Sequence, residues 1–432
     1  MTRFEFVAGL NACLERINEM YSVYYEAFSP RELADLERLQ QEFGSELATV
    51  RGRVDALEAR STELEASQFS TTTRLSGETI FGVADLLGGE TGEDNAAIFG
   101  SRFRLRFETS FTGDDQLLAG LQWGNFNEFD LAASDRGSGA TSEPRLSFDT
   151  DTDGTVELDV LQYQFAIGDS ITAYLLVNGA DAEADTISTF DSSGSGAISR
   201  FGRRNPAVYR TPGNAGLSLN FELTDAIHLD LAYIAADADT PDAGAGFFNG
   251  EYSAFAQLTL TPIDRLRLGL TYVNAYYQGE VNSGTGSALA SLDLGLPIIT
   301  NAYGVQVNFE VSDRLEIGGW AGYTFARVIE TGDAEILNFA AYLGFPDLVG
   351  DGNLGGLIVG MQPRLQNASQ NLAVQLGADR DADTGLHIEA FYRYQLTDNI
   401  AITPGLVWLT APNHNENNDD LVLGTIRTTF SF

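Results

Sequence analysis

The sequence predicts an all-β transmembrane barrel of about 16 antiparallel strands with an N-terminal α-helical coiled-coil stalk. Three observations carry that reading. From residue 69 onward, apolar and polar side chains alternate with a period of two. The connections between these runs are short on one side and long on the other. Ahead of them, residues 30–68 repeat apolar positions every seven residues. No stretch of about 18 apolar residues occurs, so no transmembrane helix is expected, but a barrel escapes that test because only every second strand residue meets lipid.

Residues 2–20 read as a short amphipathic helix with Phe4, Leu10, Leu14 and Ile17 apolar. Pro30 suits the opening turn of a second, longer helix. From Leu33 a heptad places Leu33, Gln40, Leu47, Val54 and Ser61 at a, with Leu36, Phe43, Val50, Leu57 and Leu64 at d. At about 1.5 Å per residue that helix is roughly 50 Å long. One helix cannot bury such a seam alone, so self-association is expected ahead of a helix folded back on its own domain. Polar Gln40 and Ser61 at a would help fix the register.

The barrel follows from residue 69. Over 102–108, Arg102, Arg104, Arg106 and Glu108 alternate with Phe103, Leu105 and Phe107. Four charges on one inner face would be ruinous in a soluble sandwich and suit a wet lumen. The pattern recurs. Ser218, Asn220 and Glu222 alternate with Leu217, Leu219, Phe221 and Leu223, and His228 and Asp230 share the polar side of 227–233. Arg265 and Arg267 alternate with Leu266, Leu268 and Leu270, and Gln306, Asn308 and Glu310 with Val305, Val307 and Phe309. His387, Glu389 and Arg393 alternate with Leu386, Ile388 and Tyr392. Strands are therefore expected near 72–85, 97–110, 116–127, 155–167, 170–178, 214–223, 226–236 and 251–261. Eight more are expected near 265–277, 302–311, 314–327, 335–344, 354–363, 385–396, 399–410 and 420–432. The count is even, as single-chain bacterial barrels require, and large enough to leave an aqueous channel.

Short connections centre on 113–115, 168–170, 224–226, 262–264, 312–314 and 397–399, with a longer one at 345–353 on the same side. Long ones fall at 86–96, 128–154, 179–213, 237–250, 278–301, 328–334, 364–384 and 411–419. Short periplasmic turns and long outer loops are the rule in outer-membrane barrels.

Composition narrows the function classes. The formal net charge is −36 and every basic side chain is Arg. Nucleic acid is excluded as a partner, because duplex binding needs basic residues against phosphates. Cys13 stands alone, so no internal disulfide can form, and His228, His387 and His414 are too few for structural zinc. No cofactor and no metal are expected. The pair His228 and Asp230 invites a catalytic triad, but i, i+2 neighbours on a strand follow from alternation, and no Gly-x-Ser-x-Gly accompanies them. The stretch His414–Asp420 reads as a solvated loop ahead of a loose metal site. Met1–Glu5 is not a charged-then-apolar leader, so the true start is expected upstream, or the leader removed.

Family resemblance makes this specific. Thr2–Leu14 resembles the last helix of the surface-layer-homology (SLH) domain fused to cyanobacterial outer-membrane porins. Leu47–Glu58 resembles the coiled-coil linker of that family, and Gln68–Glu78 its entry into the barrel. The barrel resembles OprB-type carbohydrate porins, including members called iron-uptake porins. A terminal Phe432 on an alternating strand resembles the signal read by outer-membrane insertion machinery. The resemblance implies a division into 1–28, the end of an SLH domain; 30–68, a periplasmic coiled coil; and 69–432, a porin barrel. It implies a homotrimer in outer-membrane lipid, tethered to peptidoglycan through the part of the SLH domain that would precede Thr2. Small solutes, inorganic ions including iron and possible sugars, would diffuse through it.

A pore works by width and field. The eight long connections hold 26 Asp/Glu and 8 Arg, so half of the net charge sits at the outer mouth. That field would concentrate cations within a Debye length of about 10 Å. The third long connection, 179–213, is expected to fold inward, with Arg200, Arg203, Arg204, Tyr209 and Arg210 at the constriction. Glu157, Asp159, Glu222 and Asp230 are expected as the acidic wall opposite. The remaining lumen wall is assigned Arg102, Arg104, Arg106, Arg265, Arg267, Glu310, Glu389 and Arg393. The competing reading is a structural tether between outer membrane and peptidoglycan with a largely plugged pore.

Overall fold

The computed structural model describes residues 73–88, 96–129, 141–179 and 182–432, with scattered helical residues between Ala12 and Val54. The chain divides into two units, Met1–Thr71 and Thr72–Phe432. In the first, Ala12, Glu15, Arg16, Glu19, Met20, Arg31, Ala34, Arg38 and Gly52 to Val54 are helical, and Arg16 donates to Glu19 at 2.7 Å. The a and d seam expected over 33–64 otherwise lies outside the described residues.

The second unit is a closed ring. Its first half is β1 (Thr73–Leu87), β2 (Ile98–Thr109), β3 (Asp115–Phe126), β5 (Glu157–Ile167), β6 (Ile171–Asn178), β7 (Ala215–Thr224), β8 (Ile227–Ala235) and β9 (Tyr252–Ile263). Its second half is β10 (Leu266–Tyr277), β11 (Ile298–Ser312), β12 (Leu315–Val328), β13 (Gly332–Pro346), β14 (Leu354–Ala368), β15 (His387–Thr397), β16 (Ile400–Leu409) and β17 (Leu421–Ser431). A two-residue β4 (Thr150–Asp151) pairs with the end of β3. Every pairing is antiparallel, and β1 pairs with both β2 and β17, which closes a barrel of sixteen strands and leaves no free edge. At the seam Gly77 N–H donates to Phe432 O at 2.8 Å and Phe432 N–H returns to Gly77 O at 3.0 Å.

Alternation sets the two faces. Arg102, Arg104 and Arg106 stand opposite Gly124, Gln122 and Gly120 of β3, all facing inward. Outward, Phe99 is 70% exposed, Leu406 58% and Val305 54%, and Phe81, Leu175, Leu217, Ile317, Leu357 and Ile426 are exposed with them. An apolar band of that extent would aggregate in water and suits hydrocarbon. Tyr233, Tyr252 and Tyr276 stack at successive spacings of 5.6 and 6.3 Å toward the outer end of β8–β10, where amphipathic rings favour the membrane interface.

All sixteen expected strands are present within a few residues of their expected bounds. The segregation of loop lengths is looser than expected. The outer connection expected at 328–334 is a turn of Ile329–Thr331, because β12 and β13 extend their ladder to Val328 and Gly332. On the opposite side Asp347–Asn353 is longer. β11 also starts earlier than expected, at Ile298.

Candidate functional site

The lumen is organised by the connection between β6 and β7. Its backbone runs around the inner wall and bonds to one strand after another. Ser218 Oγ on β7 donates to Glu183 O at 3.2 Å, and Gln257 Nε2 on β9 donates to Asp185 O at 2.8 Å. Arg267 on β10 pairs with the Asp185 carboxylate. Asn308 Nδ2 on β11 donates to Thr189 at 2.7 Å. Phe190 then packs on Tyr342 and Phe391 at 4.9 and 5.1 Å. Ile198 N–H donates to Glu389 of β15 at 2.7 Å, and Phe201 lies on Trp320 and His387. Asn205 caps a short helix, Pro206–Tyr209, accepting from Ala207 N–H at 3.2 Å, with Pro at the first helical position where no N–H is needed. Ser253 Oγ on β9 finally donates to Pro212 O at 2.7 Å.

This path divides the lumen wall in two. On β9–β17 many inward polar side chains are covered: Gln257, Thr271, Gln306, Asn338, Gln362, Glu389, Thr403 and Arg427 are each no more than 4% exposed, while Arg265 and Glu310, at the turn end, stay exposed. On β2–β8 more of the corresponding positions are wet: Arg106, Glu157 and Glu222 are exposed, and Arg104, Gln122, Asp159, Gln164, Asn220 and His228 partly so, while Arg102, Gln162, Ser218 and Asp230 are buried. Toward the end of the barrel where β1 meets the chain terminus, a cavity of about 480 Å³ is lined by Glu78, Arg104, Arg106, Asp191, Ser192 and Arg203 among others.

The nominated arginines take different places. Arg203 lines that cavity; its Nε donates to Asp191 O at 2.5 Å and its Nη2 lies 3.5 Å from the Asp191 carboxylate. Arg204 Nε is 3.7 Å from the same carboxylate. Arg210 is buried and its Nη2 donates to Arg200 O at 2.7 Å, while Tyr209 is buried and donates to Gln257 at 2.5 Å. Burial, with Arg204 beside it, lowers Arg203 to about 9, and burial beside Arg145 lowers Arg200 to about 10, so both stay cationic at neutral pH. Of the acidic wall, Asp159 pairs with Arg104 at 3.5 Å, Glu157 and Glu222 are exposed, and Asp230 is buried near Asp185. The ion pairs of Arg203 and Arg204 thus run to Asp191 of their own loop.

The other wall nominees sort in the same way. Arg102 is buried and bonds Glu78 and Ser193 at 2.9 and 2.8 Å. Arg265 pairs with Asp313 at 2.9 Å, and Glu310 is exposed near the same end. Arg393 donates to Ser195 O at 3.1 Å. Glu389 is fully buried beneath the loop.

Ser199, His387 and Glu389 meet here, which alternation alone did not foretell. Ser199 Oγ lies 3.2 Å from His387 Nε2 and donates to Glu389, but the carboxylate sits on the same ring nitrogen at 3.2 Å, and Nδ1 faces the Gln362 amide at 3.1 Å. A triad needs the acid on the far nitrogen, and all three groups are closed off from water. The cluster anchors the loop.

A second loop also enters. Ser147 N–H donates to Ile198 O and Arg200 N–H to Arg145 O, a short antiparallel bridge that buries Leu146 and Phe148. Beyond it, Glu143 accepts from Asn413 N–H and Thr141, while Asp381 accepts from Ser287 Oγ and Leu365 N–H, both at 2.7 Å. Four outer connections are thereby stapled together. His414, expected in a solvated loop, is fully buried and accepts from Gly385 N–H at 2.9 Å. Among the described residues no cluster of His, Cys, Asp and Glu could hold a metal ion.

A closed sixteen-stranded antiparallel barrel, apolar outside and partly wet within behind an infolded loop, defines an outer-membrane passive diffusion channel of the porin type. Residues 31–432 match the profile of the carbohydrate-selective porins, OprB family, and the chain belongs to that family. An uncharacterized protein of Nostoc sp. is 38% identical over 459 residues, covering all of this chain and 78% of its own length. OprB of Pseudomonas putida shares the fold at 14% identity with a TM-score of 0.54, over 84% of this chain and 94% of its own. OmpT of Vibrio cholerae, solved in a trimer form, shares it at 11% identity and a TM-score of 0.51, over 84% and 99%.

Proposed function

We propose that small hydrophilic solutes, sugars and inorganic ions including iron, diffuse passively through the space between the β2–β8 wall and the loop 179–213. The observation that carries this reading is the uneven cover of the wall: much of β9–β17 is packed beneath the loop, whereas β2–β7 present Arg104, Arg106, Glu157, Asp159 and Glu222 to water. Arginine guanidinium groups with carboxylates close by bind sugar hydroxyls and order water in a transverse field. The outer loops supply a negative field that draws cations toward the mouth. Iron is carried by the family resemblance described above. The heptad over residues 33–64 supports trimeric assembly and a periplasmic tether, and the trimer form of OmpT is in keeping with the first.

Planar-bilayer recording and liposome swelling test this. Swelling in sugars of increasing size gives the cutoff, and reversal potentials give the ion preference. Arg203→Glu combined with Arg204→Glu is expected to shift the reversal potential toward cation preference; an unchanged value removes these two residues from the constriction. Absence of any solute flux would favour the plugged tether.

A further inference from the structure

We propose that Arg427 is the residue that positions the constriction loop and thereby sets the width of the pore; this rests on the pore assignment above. Arg427 lies on β17, the last strand, and is fully buried. Its guanidinium has no carboxylate at its fork. Instead Nη1 donates to Ser193 O at 2.7 Å and Ala197 O at 3.2 Å, and Nη2 donates to Gly196 O at 2.8 Å. Thr429, two residues on and facing the same way, donates to Gly194 O at 2.7 Å. Arg393 supplies the fifth contact, to Ser195 O. Five consecutive carbonyl oxygens, Ser193 to Ala197, therefore each accept from a wall side chain, and three of the five are held by one guanidinium.

The sequence of the turn, Ser192-Ser193-Gly194-Ser195-Gly196, suits this role. A Cβ on Gly194 would overlap the Glu78 carboxylate, and one on Gly196 would overlap Phe190 O. Gly194 lets the turn lie against the wall, and Gly196 lets the loop fold tightly on its own backbone, and the two together bring the carbonyls onto Arg427. Phe148 closes the other side, its ring centroid 5.7 Å from the guanidinium carbon. The backbone then reverses polarity: Ile198 N–H points at Glu389. Cation to carbonyls and carboxylate to N–H together fix the loop in both directions along its dipoles.

The pore side of the same turn carries Asp191 and Ser192, which line the cavity with Arg203. Any retreat of the turn from the wall moves these groups into the channel, and any loosening changes the cross-section. The wall contact thus acts as a stop on the loop.

The test is single-channel conductance of the full chain in planar bilayers, on protein shown to be folded by its heat-modifiable mobility. Arg427→Gln removes the fork and is expected to change conductance by about 1.5-fold or more with added flicker between levels, because current follows cross-section. Arg427→Lys keeps the charge but not the planar fork, so an intermediate change is expected. Thr429→Val removes one contact and is expected to give the smallest change. A purely structural role would lower the melting temperature and leave conductance and reversal potential untouched. Folded Arg427→Gln with the wild-type conductance overturns the proposal; should that variant not fold, wild-type conductance in both Arg427→Lys and Thr429→Val overturns it equally. A wild-type chain that passes no current at all would instead refute the pore assignment, and this one with it.

Discussion

Replacing Glu143 by Gln should remove the larger part of a pH dependence built into the outer mouth. Burial, with Asp381 nearby adding to it, pushes the Glu143 carboxyl from 4.5 up to about 7, against the opposing hydrogen bonds from Asn413 and Thr141. Burial likewise pushes Asp381 up to about 6. His414 is held down to about 4 by burial and the nearby Arg364, so it is neutral through this window and offers no compensating charge. Arg145 is already engaged by Glu128 and Asp149. At 1.36 kcal/mol per tenfold in proton activity, ionising Glu143 in place costs about 3 kcal/mol. The sign follows from the raised value. Below about pH 4.5 the carboxyl is protonated whether the loops are packed or released, and packing has its full stability. As pH rises toward 7 the released state loses its proton first, and packing weakens by up to the full amount. That is roughly 300-fold in the population of released loops. Hydrogen exchange of the amides of Asn413, Gly385 and Leu365, corrected for intrinsic rates between pH 5 and 8, should show protection falling with pH in the wild type. In Glu143→Gln, whose amide oxygen can still accept from Asn413, the fall should shrink to the share of Asp381. Equal slopes in the two proteins would refute the reasoning.

Phe201→Ala should destabilise the docked loop by about 3–5 kcal/mol, since a fully buried ring between Trp320 and His387 is lost, and should appear as faster proteolysis within 182–213 with the barrel melt unchanged. Arg104→Gln frees Asp159 from its only described ion-pair partner and should move the reversal potential toward cations, which a salt-gradient measurement reads directly. Ser199→Ala removes a donor from buried Glu389 and should weaken loop docking by about 1–3 kcal/mol, seen as open-channel noise rather than as a change in any hydrolytic rate.

The barrel was legible because its signal is local. Alternation such as Arg102-Phe103-Arg104-Leu105-Arg106 needs no knowledge of the rest of the chain to say that one face is wet and the other greasy, and sixteen such runs fix the count. The site was legible only in outline. Arg203 and Arg104, both nominated, line the same cavity, but Arg427 looked like one more inward polar residue on an ordinary strand. Its partners are more than 200 residues away. A period of two gives the face of a residue and not what covers it. The same limit hid Ser199 beside His387 and the inward course of 141–149, where no alternation exists to be read. The run Ser192–Gly196 was the available hint, since small residues together mark a close approach of backbone to a wall.

The unequal treatment of the two halves of the barrel has a consequence for how such a channel can change. A substitution at Glu157, Gln164 or Glu222 alters what a passing molecule meets and disturbs little else. A substitution at Gln257, Asn338 or Glu389 breaks an internal contact and is felt as lost folding. Lineages can therefore retune permeability along one arc while the other is held nearly fixed, so that diversity among relatives should concentrate on β2–β8 even though every strand contributes equally to the ring.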